Sequence, residues 1–176
     1  MTFVYQYSGV LAACCALLLI VLPTFFVGLE YRREPISFVT RHKTAGILFK
    51  VGLLITAALL VVNTVRLVDY FHISIGSASV LIYLAGTMCM SLVAVVDIDM
   101  HETIHTAFTR GYFLLSSLGA MMLSLQIFHG TSFVFGIAIG GGLGTLYMYF
   151  KLGLKAQSEY WGIMCAILWV VSFYVM

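Results

Sequence analysis

The stretch AGILFKVGLLITAALLVVNTV, residues 45–65, decides the fold: its single charged side chain is Lys50, and little else in it seeks water. A helix needs about 20 such residues to cross the hydrocarbon core of a bilayer, with about 17 to 25 as the usual range. Lys50 stands near the start of the stretch, where its long side chain snorkels back to the headgroups. Working outward, further stretches read the same way: Ser8 to Gly28, Ala78 to Val96, Gly111 to Phe128, Ser132 to Phe150, and Tyr160 to Met176. Each must be a helix, because an isolated strand would leave its backbone N–H and C=O groups unpaired in lipid. The expected fold is all-α, a single domain over residues 1–176 forming a polytopic integral membrane bundle of about six transmembrane helices.

Composition points the same way. Of 176 residues, 62% are hydrophobic and 9% charged, and the mean hydropathy is +1.06. A soluble domain carries about 25% charged residues to solvate its surface, so lipid must replace water over most of this one. The net charge of +2 and the dispersed Lys and Arg residues leave no nucleic-acid footprint. Cys14, Cys15, Cys89 and Cys165 fall inside apolar runs without C-x-x-C spacing, and read as small buried hydrophobes. Residues 1–8 lack Lys and Arg, and no small-x-small cleavage site follows the first apolar run; a retained span is expected, not a signal peptide.

The connections between spans are short, the longest running roughly from Leu29 to Thr44. His129, Gly130 and Thr131 join the fourth and fifth spans into an antiparallel hairpin. Basic residues divide unequally between the two sides. Arg32, Arg33, Arg41, Lys43, Lys50, Arg110, Lys151 and Lys155 fall on one side, and Arg66 on the other. The positive-inside rule therefore places the connections after spans 1, 3 and 5 in the cytoplasm and both termini outside. Tyr5, Tyr7, Tyr31, Tyr70, Tyr112, Tyr160 and Trp161 sit near span ends and suit the aromatic belts. Gly136, Gly140 and Gly144 recur at four-residue spacing on one helix face, where a neighbouring backbone can approach closely. Asn63, Thr64 and Gln126 are expected to hydrogen-bond between helices on the side away from the basic loops.

One constellation carries potential chemistry. Residues 101–105 are a literal H-E-x-x-H, in which His101 and His105 on one helix face would ligate zinc while Glu102 activates the bound water. Zinc needs a third protein ligand, and among His42, Glu30, Glu34, Asp97 and Asp99 none has diagnostic spacing. A second reading makes Glu102 a helix-start residue, with Asp99 as N-cap of a capping-box-like pattern and the acidic side chains favoured by the helix dipole. A bis-histidine haem is disfavoured, since His42, His72, His101, His105 and His129 all stand at span ends. A transporter is disfavoured by the lack of buried charge in the spans.

Several motifs resemble a known family. Arg33-Glu34-Pro35-Ile36-Ser37, then Thr44-Ala45-Gly46-Ile47-Leu48-Phe49-Lys50-Val51-Gly52-Leu53, is similar to the first loop and second span of the six-span prokaryotic family called domain of unknown function 998. The stretch from Val96 through an acidic linker to His105, Ala107 and Phe108 is similar too, as is Glu159-Tyr160 with Ile167-Leu168-Trp169-Val170 in the last span. The family's Ser-Asp-x-Gly element is missing, since Ser37 is followed by Phe38, Val39 and Thr40. The resemblance implies a multi-pass protein of a prokaryotic cell membrane, with wider relatives among the damage-regulated autophagy modulators and GPI-anchor-remodelling proteins, some linked to lipid handling.

The function expected is that of a lipid-handling protein or an accessory, structural subunit of a membrane assembly, with no catalytic centre and no cofactor. Its partners would be membrane lipids and other transmembrane subunits, with no nucleic acid. The alternative is a metal-dependent membrane hydrolase using zinc at His101 and His105 with Glu102 as base.

Overall fold

The computed structural model describes residues 2–29, 34–96, 98–99, 101–128, 132–153 and 155–175. Six helices follow one another: α1 (Phe3–Phe26), α2 (Lys43–Tyr70), α3 (Ala78–Val95), α4 (Glu102–Phe128), α5 (Phe133–Leu152) and α6 (Ala156–Ser172). A 3₁₀ turn, Ile36–Arg41, lies between α1 and α2, and there is no strand among the described residues. Helices α1 to α5 are each long and apolar enough to cross a membrane. Helix α6, with 17 residues, stands at the lower limit of the spanning range. The chain is thus an all-α, polytopic membrane protein. Glu30, Tyr31, Arg32, Arg33, Asp97, His129 to Thr131 and Met176, all named in the sequence reading, lie outside the described residues.

Four helices begin ahead of the apolar stretches that predict them: α1 at Phe3, α2 at Lys43 and α6 at Ala156 start a few residues before Ser8, Ala45 and Tyr160, and α4 at Glu102 starts well before Gly111. The extra residues of α2, α4 and α6 are polar but need not break helix, because at headgroup depth their side chains reach water while the backbone hydrogen-bond ladder continues. Helix α4 has 27 residues, about 40 Å of rise against about 30 Å of hydrocarbon.

Each helix packs on the next, and α6 returns to α1, so the six form an up-and-down ring, with α4 also touching α6. Contacts between connections identify the two ends. At one end Arg41 Nε donates to Asp99 Oδ1 at 3.1 Å, and Ala156 N donates to the Glu34 carbonyl at 2.8 Å. This is the basic end. At the far end the Tyr5 hydroxyl donates to Asp69, and Gly9 N donates to the Tyr174 hydroxyl at 2.9 Å.

The tightest seam joins α3 to α4. A Cβ on Gly86 would stand 2.6 Å from Ser116 N, and one on Gly119 would stand 2.6 Å from Tyr83 Cα, so only glycine lets these backbones meet. The glycine stripe of α5 behaves differently. Gly144 packs against the Trp161 indole, but a Cβ on Gly136 or Gly140 would meet nothing within 4 Å. Within this chain the close packing expected of the stripe is therefore confined to Gly144, because the face carrying the other two turns away from the ring.

Helix α1 contains a π-helical turn, Ala16–Val21, just ahead of Pro23. Pro23 has no N–H to give back along the helix, and the widened turn absorbs that loss. It leaves Ile20 buried in the ring, where it helps line the interior.

Candidate functional site

The site is built at the start of α4. His105 N donates to the His101 carbonyl at 2.9 Å, which makes His101 the residue that opens the helix and Glu102 the first residue inside it. Both side chains are exposed. Asp99 lies too far upstream to cap this helix, and its carboxylate is turned to Arg41, whose full charge is the stronger partner. The capping-box arrangement of Asp99 with Glu102 is not formed. The Arg41–Asp99 pair is half exposed, at 50% and 54%, and contributes little stability.

His105 faces the other way, into the bundle, and is 1% exposed. Its Nδ1 stands 2.8 Å from the Val96 carbonyl, an oxygen that can only accept, so Nδ1 carries the proton. Nε2 is buried without a hydrogen-bond partner. His101 and His105 therefore occupy different surroundings, one in water and one in the ring. Among the described residues no group of three or more His, Cys, Asp or Glu side chains is arranged to hold a metal ion.

Beside His105 opens a cavity of about 320 Å³, lined by the 3₁₀ turn, by α4 and by the start of α6. Its polar wall is Ser37, Glu102, His105, Thr106, Thr109, Arg110 and Glu159. Glu159 is 3% exposed, sits in the first turn of α6, and accepts a hydrogen bond from Ile36 N. Its paired cation is absent among the described residues. Thr109 donates to the His105 carbonyl at 3.0 Å, which ties off its hydroxyl hydrogen and leaves its lone pairs available.

The cavity continues in two directions of very different width. Outward it shares Glu102, Thr106 and Arg110 with a groove of about 720 Å³ that follows α4 past Gly111 to Leu114. Inward, past Ser37 and Glu159, it meets a line of three apolar voids of about 30, 40 and 40 Å³ that share Tyr112 and reach Trp169. Each inner void has room for a few water-sized groups at most, too little for an acyl chain. Size thus decides where a long ligand can go: along the outer groove, not through the ring.

The sequence reading named His101, Glu102 and His105 and passed over Ser37, Thr109 and Arg110 as site residues. It noted Glu159 only as the start of a span. The signal available was a Glu at the head of an apolar run, which in a buried position demands a partner. No protein-family model, no curated protein and no solved structure matches the chain.

Proposed function

We propose that this chain is a lipid-handling membrane protein that holds one phospholipid at its basic end, with the head group at the cavity and the acyl chains along the outside of α4. The observation that carries this reading is the junction of a polar, headgroup-sized cavity with a groove that turns apolar at Gly111 and Leu114. Polar groups converging on a concave site fix a head group, and apolar walls beyond them accept what is attached to it. Arg110 supplies the phosphate partner, and Ser37, Thr106 and Thr109 supply neutral hydrogen-bonding groups. In this reading Glu102 is a headgroup acceptor rather than a base on zinc-bound water. The positive-inside rule puts the site in the cytoplasmic leaflet. The resemblance to the six-span family supports the fold and is compatible with lipid handling. A role as the lipid-bearing subunit of a larger assembly draws support from the open face at Gly136 and Gly140, where another chain's helix has room.

Native mass spectrometry of the intact protein, released from membranes in a mild detergent, tests the reading. The expected result is one phospholipid retained per chain after washing. Folded protein that washes free of lipid would overturn it.

A further inference from the structure

Resting on the lipid-binding reading, we infer that the α4 groove selects a phospholipid with a primary-amine head group, its ammonium at Glu102 and its phosphate at Arg110. The first ground is the order of chemistry along one helix face. Glu102, Thr106 and Arg110 are spaced i, i+4, i+8 and share a face, and Gly111 and Leu114 continue the groove beyond them. Glu102 and Arg110 are about 12 Å apart along the axis, with Arg110 the deeper. An amino-phospholipid in the leaflet at this end presents its groups in the same order, with ammonium outermost, then phosphate, then acyl chains.

Depth agrees with that order. Arg110 lies about 27 Å along the axis from Phe128, the last residue of α4. With Phe128 at the far boundary of a hydrocarbon layer about 30 Å thick, Arg110 reaches the near boundary, where lipid phosphates lie. Glu102 stands two turns further out, and the long Arg110 side chain, leaning toward the helix N-terminus, shortens the gap that an extended ethanolamine head group must bridge between them.

The balance of donors and acceptors supplies the second ground. Neither Glu102 nor Arg110 is paired to another side chain among the described residues, so both are available to a ligand. Behind them the wall holds a second carboxyl, Glu159, and the partnerless Nε2 of a 1% exposed His105. A head group entering here meets one guanidinium and several acceptors. That set suits a head group with one anionic centre and a cluster of N–H donors. A quaternary ammonium has the charge without the donors, and a glycerol head has hydroxyls without the charge.

The test is headgroup competition by native mass spectrometry on the full chain in mixed micelles, using dioleoyl phosphatidylethanolamine, phosphatidylcholine and phosphatidylglycerol. Phosphatidylethanolamine should bind about tenfold more tightly than either rival, the worth of one charge-assisted hydrogen bond. Glu102→Gln should abolish that preference, bringing phosphatidylethanolamine to the affinity of its rivals, and Arg110→Gln should weaken all three alike. Equal binding of the three lipids, or a preference that survives Glu102→Gln, would overturn the amine assignment while leaving the lipid-binding reading in place. Absence of binding by all three would overturn both.

Discussion

At the far end of the bundle, polar side chains are engaged with one another. Asn63 accepts from the Tyr174 hydroxyl at 3.1 Å, Trp169 Nε1 donates to Ser124 at 2.7 Å, and Ser79 donates to Gln126 at 2.6 Å. Arg66 lies over the Tyr174 ring, 4.2 Å from its centre. Among the described residues Asn63 Nδ2 and Arg66 Nη2 are buried there without partners, and neither residue lines any of the cavities described above. At the basic end, the buried His105 keeps a free Nε2, and Glu159, Thr109 and Ser37 border open space. The contrast separates two uses of polarity inside a membrane protein. Groups that satisfy each other tie helices together, here α1, α2 and α6 through Asn63, Tyr174 and Gly9. Groups with unused capacity around a cavity are arranged for something that arrives from outside.

Substitutions can break this contrast, and the largest effect belongs at the far end. Asn63→Leu would strand the Tyr174 hydroxyl and crowd a fully buried position, and should destabilise the protein by about 3 kcal/mol in detergent unfolding. Lipid retention by the fraction that remains folded should be unchanged. At the basic end the pattern reverses. Glu159→Gln keeps an oxygen to accept from Ile36 N, so stability should move by less than about 1 kcal/mol. Retained lipid should nevertheless fall, read as the lipid-bound fraction in native mass spectra. A stability loss at Glu159 as large as that at Asn63 would show that the basic end is a structural tie as well. The smallest effect is Asp99→Ala, which breaks a half-exposed pair with Arg41 and should cost about 1 kcal/mol or less by the same unfolding measurement.

The architecture was legible because a bilayer imposes a length and a polarity that apolar runs report directly, as residues 45–65 do. Helix starts were less legible. Glu102, Thr106 and Arg110 lower the hydropathy of the first turns of α4 without opposing helix, so a reading by apolar run began that span at Gly111. His105 was noticed for its spacing to His101, but its hydrogen-bond partner is Val96, across the loop, and that bond turns it away from His101. Glu159 was harder still, since its partner Ile36 is 123 residues away in the chain. The glycines teach the same point. Gly136, Gly140 and Gly144 make a pattern that spacing reveals, yet spacing does not say which way the face points. Gly86 and Gly119 make no pattern, and they hold the closest helix pair in the ring.

The most direct test of the account is photocrosslinking in membranes with a phospholipid carrying a diazirine high on its acyl chain, followed by peptide mapping. Adducts should concentrate on α4 around Gly111 and Leu114, and Arg110→Gln should reduce them. Adducts spread evenly around the ring, or gathered at the Gly136 and Gly140 face of α5, would contradict it.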